Sequence, residues 1–159
     1  MTFGLSVPAL TELHVIISLI GIAAGILFFA TLIGGRWMSA LCAVFLAFTI
    51  LTSVTGFFFP PKPIGPPFIF GVVSLALLAG SLLALYGKHL IGGWRILFLV
   101  TALIAQWLNM VVLVVQSYQK IPVLHALAPT GTEPVFLATQ GLVLVAILYT
   151  GWRTLRRRV

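Results

Sequence analysis

Five long runs of apolar residues follow one another along the chain, separated by segments that hold most of its prolines and all of its charges. The runs cover about residues 13–34, 37–59, 67–87, 96–117 and 135–152. At about 1.5 Å of rise per residue, each run is long enough to cross roughly 30 Å of hydrocarbon as an α-helix. The pattern predicts an all-α integral membrane protein, a bundle of five transmembrane helices forming a single domain over residues 1–159.

The fourth run carries a stripe of polar residues on an otherwise apolar helix. Gln106, Asn109, Gln116 and Lys120 fall within an arc of roughly 80° when successive residues are placed 100° apart. Because an unpaired carboxamide in hydrocarbon costs several kcal/mol, these side chains must face protein, water or a ligand. Two interpretations follow: the stripe lines a polar pocket, or it hydrogen-bonds to the Thr and Ser face of the second run, which includes Thr52.

The composition argues against a soluble fold and against thiol chemistry. The chain is 61% hydrophobic and 7% charged, whereas a soluble domain has about 25% charged residues. Cys42 is the single cysteine, so neither an intrachain disulfide nor a CxxC redox pair can form. The net charge of +7 is therefore interpreted as an orientation signal of a membrane protein, and nucleic acid is not a predicted partner.

Lysine and arginine are distributed unequally between the two sides that five spans create. Lys62 and Lys120 share the side of the N-terminus, and the opposite side carries seven basic residues, namely Arg36, Lys88, Arg95, Arg153, Arg156, Arg157 and Arg158. The positive-inside rule makes the second side cytoplasmic. We expect a bacterial inner (cytoplasmic) membrane protein with a periplasmic N-terminus, a periplasmic loop over 118–134 and a basic cytoplasmic tail over 153–159.

A short internal repeat suggests duplication. LIGGRW at 32–37 and LIGGWR at 90–95 stand 58 residues apart. This spacing suits a duplicated helical hairpin, spans one and two repeated as spans three and four, with a fifth span added, as in the parallel repeats of some transporters. A chance match between short apolar segments is the alternative.

Residues able to bind a polar ligand gather at the predicted periplasmic end. They are Glu12, His14, Gln116, Lys120, His125 and Glu133. A quinone head group needs hydrogen-bond donors for its carbonyls and a group that exchanges protons, which His14, Gln116 and Glu12 could supply. The predicted ligand-binding residues are His14, Glu12, Thr52, Gln106, Asn109, Gln116 and Lys120. The alternative for His14 is a capping or interfacial role, and His89 is predicted to be an interfacial residue only.

Other cofactors and functions stay open as weaker alternatives. A haem b would need two axial imidazoles, and His14 with His125 is the only same-side pair. The same two histidines are the weak candidates for a metal site, but no spacing of three ligands indicates one. A small transporter would be expected to carry charged residues near mid-membrane, and the pattern places none there. No catalytic residue is predicted.

Three segments resemble a group of small, mostly uncharacterised bacterial inner-membrane proteins. They are ELHVIISLIGI at 12–22, LTSVTGFFFP at 51–60 and VVQSYQKIPVLHALAPTGTEPVF at 114–136. The resemblance implies the membrane location and transfers no catalytic role. The polar stripe and the residues at the periplasmic end, rather than the resemblance, lead us to predict a periplasm-facing polar pocket for a small amphipathic ligand such as a quinone or lipid. The main rival is an accessory structural subunit of a larger membrane complex, and a homo-oligomer is also open.

Overall fold

A computed structural model describes residues 6–59 and 65–157 of the chain. Over these residues it contains α1 (Val7–Ile33), α2 (Ser39–Gly56), α3 (Pro66–Leu82), α4 (Gly93–Lys120), α5 (Pro122–Leu127) and α6 (Pro134–Arg156). A π-helical segment, Leu83–Gly87, continues α3. Within these described residues, α1, α2, α3 with its π-helical extension, α4 and α6 are long and apolar enough to cross a membrane, which confirms the predicted fold class. Lys62 and Arg158 lie outside the described residues.

α1, α4 and α6 extend beyond the apolar runs into the polar segments, and in α1 a capping residue accounts for the earlier start. α1 begins at Val7 rather than near residue 13, since the Ala9 N–H donates to the Ser6 hydroxyl at 3.4 Å and Pro8 stands in the first turn. α6 continues to Arg156 and so includes the first part of the predicted basic tail. Hydropathy marks the part of each helix that suits lipid, whereas caps and prolines decide where the helix starts.

Consecutive long helices run antiparallel, which gives the bundle two ends of different character. We refer to the end where α1 and α6 begin and α4 stops as the loop end, because α5 and residues 128–133 lie there. The opposite end is the basic end, and its described cations are Arg36, Lys88, Arg95, Arg153, Arg156 and Arg157. Arg95 connects two helices there by donating to the backbone carbonyls of Thr154, at 3.0 Å, and Arg157.

α4 is the central helix and contacts each of the other five α-helices. Its first half packs into a buried core with α1 and α2, where Phe28, Phe45 and Phe98 have no exposed surface. α1 and α2 approach closely at Gly21, where an added Cβ would lie 3.3 Å from backbone atoms of Phe48 and Thr49. Such small-residue contacts supply packing energy that lipid cannot supply through the hydrophobic effect.

α6 lies at the periphery of the bundle. It packs on α4 and α1, and Thr154 is its one buried residue. Its apolar side chains, Leu142, Val145 and Leu148 among them, are exposed on the outer surface. Such an apolar surface is suited to contact with the lipid bilayer.

The two copies of the internal repeat occupy different positions relative to their helices. α1 ends at Ile33, inside the first copy, and Gly35 has φ +79°. In the second copy Gly92 has φ +59° and α4 starts at Gly93. The duplication stays a prediction.

Candidate functional site

The inner end of the polar stripe is a packing contact between α4 and α1. Gln106 is 2% exposed, and its Nε2 donates to the Ile22 backbone carbonyl at 3.1 Å. Its Oε1 is buried without a hydrogen-bond partner among the described residues. A Cβ on Gly25 would collide with this amide and would lie 2.8 Å from the Phe45 ring. Gln106 therefore connects helices, but through the α1 backbone rather than through the α2 hydroxyls that the sequence suggested.

Asn109, one turn further along α4, faces α2. Its Nδ2 donates to the Thr49 hydroxyl over a long 3.4 Å. Thr49 is fully buried, whereas the half-buried Thr52 donates to the Phe48 carbonyl of its own helix at 2.8 Å. Thr49, rather than the predicted Thr52, is thus the α2 hydroxyl that meets the stripe.

Exposure increases along the stripe toward the loop end. Gln106 is buried, Asn109 and Gln116 are half-buried, and Lys120 is exposed. From Asn109 to Ser117 the one buried residue of α4 is Val114. The outer part of the stripe is therefore accessible, in contrast to the inner part.

His14 stands beside this accessible part, on the face of α1 that meets α2. Its Nδ1 lies 2.8 Å from the Thr55 hydroxyl oxygen, and the Phe59 ring meets it edge-on at 5.4 Å between centroids. Thr55 also donates to the Leu51 carbonyl at 2.7 Å. Both groups are satisfied when His14 carries its proton on Nδ1 and donates it to Thr55, which leaves Nε2 as an acceptor. The Lys120 ammonium is within electrostatic range of the ring.

Thr55 and Phe59 are site residues that the sequence pattern did not indicate, whereas Thr49 belongs to the predicted Thr and Ser face of the second run. The antiparallel pairing of α1 and α2 could have indicated Thr55. Gly21 packs against Phe48 and Thr49. His14 lies two helical turns before Gly21 on α1, and Thr55 and Gly56 lie two turns after Phe48 and Thr49 on α2. Because the two helices are antiparallel, His14 is opposite Thr55 and Gly56. The ring of His14 does lie near Gly56, since a Cβ there would be 3.7 Å from its Cε1.

The remaining predicted candidates are not part of this arrangement. Glu12 and His125 are exposed, on α1 and α5 respectively, whereas the other member of the predicted haem pair, His14, is half-buried. In residues 6–59 and 65–157, no group of three or more His, Cys, Asp or Glu side chains is placed to hold a metal ion.

Glu133 has a structural role in the turn before α6. Its carboxylate accepts from the backbone N–H of Thr130 at 2.9 Å and of Thr132 at 3.0 Å. The backbone hydrogen bond from Thr130 is the main cause that lowers the pKa of Glu133 to about 2. The charged carboxylate is thereby committed to holding the loop.

A cavity of about 470 Å³ lies at the basic end, lined by residues from the end of α1, the π-helical segment and the start of α4. It is at the opposite end of the bundle from His14 and Lys120. The sequence pattern did not indicate a cavity there.

Comparisons with protein families, with curated proteins and with solved structures found no match. The resemblance to small bacterial inner-membrane proteins therefore stays a prediction.

Proposed function

We propose that the protein binds a small amphipathic ligand within the membrane at the loop end, between α1, α2 and α4. The observation that carries this proposal is the rise in exposure along the α4 stripe, from the buried Gln106 to the exposed Lys120, beside the half-buried His14. Polar groups at this depth need partners, and an accessible set of them beside apolar side chains suits a ligand with a polar head and an apolar tail.

A quinone matches the available groups. The Gln116 amide and the Lys120 ammonium can each donate a hydrogen bond to a quinone carbonyl. The Nε2 of His14 can accept from the hydroxyl of the reduced form, because Nδ1 is occupied by Thr55. Ile17, one turn from His14 on α1, and Leu113, one turn from Gln116 on α4, are half-buried apolar residues that a tail could contact. Binding of this kind needs no catalytic step.

The orientation in the membrane is part of the same proposal. The excess of basic residues at the basic end would place that end in the cytoplasm and the loop end in the periplasm of a bacterial cell. Reporters fused before residue 2 and after Val159 should lie in the periplasm and the cytoplasm respectively. Reporters that both respond on one side would contradict the proposed orientation.

Binding of a quinone analogue to the purified protein tests the pocket. Gln116→Leu removes one hydrogen bond, so the Kd should rise by about ten-fold, the equivalent of roughly 1.4 kcal/mol. His14→Phe should also weaken binding. The matched control is Gln140→Leu, because Gln140 donates to the Val111 carbonyl on the opposite side of α4, at 3.3 Å. A Kd that Gln116→Leu and His14→Phe leave unchanged would reject the pocket.

The exposed surface of α6 favours a second candidate, an accessory subunit of a larger membrane complex. Leu142 is 71% exposed and Leu148 is 62% exposed on this peripheral helix. Lipid covers such a surface in a lone bundle, and another membrane protein covers it in a complex. Purification in mild detergent distinguishes the two: a lone protein with an extractable ligand supports the pocket, and a stoichiometric protein partner supports the subunit.

A further inference from the structure

The cavity at the basic end has a mostly apolar wall and a polar edge. The apolar wall consists of Leu32, Leu85, Leu90, Phe98 and Leu99, with Trp37 beside it. His89 and Arg95 are the polar residues that line it. A volume near 470 Å³ falls within the roughly 300–1,000 Å³ typical of sites for small molecules. It can hold a head group and the first part of an acyl chain, but not a whole lipid.

The backbone beside this cavity adopts an unfavourable conformation. His89 has φ +50° and Leu90 has φ +58°, both in the left-handed region that residues other than glycine rarely occupy. They follow the π-helical segment after Lys88, and the Leu90 N–H donates back to the Ala84 carbonyl at 3.0 Å. Both residues line the cavity as a result. Strained residues and π-helical turns of this kind concentrate at functional sites.

The guanidinium of Arg95 is held beside the cavity by two hydrogen bonds and has further N–H donors. Its Nη2 donates to the carbonyls of Thr154 and Arg157, which fixes the plane of the guanidinium. A guanidinium has five N–H donors, so those on Nε and Nη1 are not used by these two bonds. A fixed planar set of donors is suited to a phosphate group.

No Asp or Glu side chain is present among the described residues of the basic end. The chain contains two acidic residues, Glu12 and Glu133. Glu12 is in the first turns of α1 and Glu133 directly precedes α6, so both are at the loop end. Among the described residues, the cations of the basic end therefore have no Asp or Glu side chain near them, so an anion from outside the chain can pair with them.

We propose that this cavity binds an anionic phospholipid, with its phosphate at Arg95 and His89 and the upper part of an acyl chain against Leu85 and Phe98. The apolar wall favours a lipid over a free phosphate, and basic pockets between transmembrane helices are suited to anionic head groups. The site is independent of the loop-end pocket, so either can fail without the other.

Trp37 provides a reporter because it lines the cavity. A variant that keeps Trp37 and replaces Trp94, Trp107 and Trp152 by Phe is placed in phosphatidylcholine bilayers. Quenching is then compared between phosphatidylglycerol and phosphatidylcholine that carry brominated chains, at equal mole fractions. The anionic lipid should show about five-fold higher apparent association, the effect of one basic residue at a membrane surface. Equal quenching by both lipids would overturn the proposal.

Substitutions separate the cavity from general attraction to the basic end. Arg95→Gln should abolish the preference for phosphatidylglycerol, so that the ratio of the two apparent association constants falls to about one. Arg36→Gln, at an exposed position outside the cavity, should leave that ratio unchanged. Because Arg95→Gln also removes bonds to α6, Leu85→Phe provides a second variant that fills the cavity and keeps every charge. Leu85→Phe should also lower the preference for phosphatidylglycerol. The site would be rejected if Leu85→Phe kept the lipid preference of the parent protein. It would also be rejected if Arg36→Gln lost as much of that preference as Arg95→Gln.

Inorganic phosphate identifies the source of the anion. Addition of phosphate at the concentration of the brominated lipid should leave the quenching of Trp37 unchanged, because a free anion gains nothing from the apolar wall. Reversal of quenching by phosphate at that concentration would make the ligand a soluble phosphate compound and would contradict a lipid site.

Discussion

The two halves of the bundle are packed differently. In the basic half, α4 buries most of its side chains between Phe98 and Leu108 against a cluster of aromatic rings from α1 and α2. In the loop half, between Asn109 and Lys120, the buried residues of α4 are Val114 and Tyr118, and α1 buries no residue from Thr11 to Ile20. Both halves are built from similarly apolar sequence, so hydrophobicity alone does not explain the difference.

The difference follows from what holds helices together in lipid. Lipid chains are as apolar as leucine, so close contact between side chains must supply the stability. Phe28 provides such contacts in the basic half, with ring centroids 5.3 Å from Phe29 and 5.2 Å from Trp37. The loop half instead presents hydroxyl and amide groups at half-buried positions. We infer that the aromatic core of the basic half supplies most of the stability of the bundle and that the polar groups of the loop half are available for binding.

Removal of a ring from each half gives the largest expected effect. Phe45 is fully buried and its ring packs on Phe28 and Phe29, so Phe45→Ala should lower the free energy of unfolding by about 2–4 kcal/mol. Phe136→Ala, which removes a half-buried ring packed on Tyr118 at the loop end, should cost about 1 kcal/mol. Unfolding in mixed micelles measures both. Equal losses would show that the two halves contribute alike.

The architecture was predictable from the sequence because it depends on hydropathy and charge, which are properties of long segments. The pairing of individual polar groups was not. Gln106 bonds to the backbone of Ile22, and a backbone carbonyl has no signature in the sequence. The cavity beside Arg95 depends on the conformations of His89 and Leu90, which no residue preference would indicate.

A methyl group added to a glycine tests the close contact at the boundary between the halves. Gly25→Ala should destabilise the protein by about 1–3 kcal/mol, because the new Cβ would displace the Gln106 amide from the Ile22 carbonyl. Gly141→Ala is the matched control on α6, where no atom lies within 4 Å of the added Cβ. It should be neutral or stabilising by up to about 1 kcal/mol. Thermal unfolding of both variants measures this, and similar melting temperatures would argue against the contact.

Asn109→Leu tests whether the stripe changes role at the boundary. The bond from Asn109 to Thr49 is long at 3.4 Å, so its loss should cost no more than about 0.6 kcal/mol. If the outer stripe lines a pocket, the same substitution should weaken binding of a quinone analogue about three-fold or more, since it removes a polar contact without opening a cavity. A loss of stability near 2 kcal/mol with unchanged binding would assign Asn109 to helix packing and would end the proposed pocket on α4.

The smallest expected effect is a response to acid that is confined to the loop end. Hydrogen bonds from Thr130 and Thr132 lower the pKa of Glu133 from 4.5 to about 2. A carboxyl whose pKa is lower in the folded state contributes stability above the unfolded value, so this contribution is present above pH 4.5 and is lost as the pH falls toward 2. The amide resonances of Thr130 and Thr132 should therefore titrate with a midpoint near 2, and Glu133→Gln should abolish the titration. Amides beside Phe98 in the basic half should stay unchanged, because both acidic side chains, Glu12 and Glu133, lie at the loop end. A midpoint near 4.5 for Thr130 would mean that the turn does not hold the charged carboxylate, and the loop end would then be less ordered than its hydrogen bonds indicate.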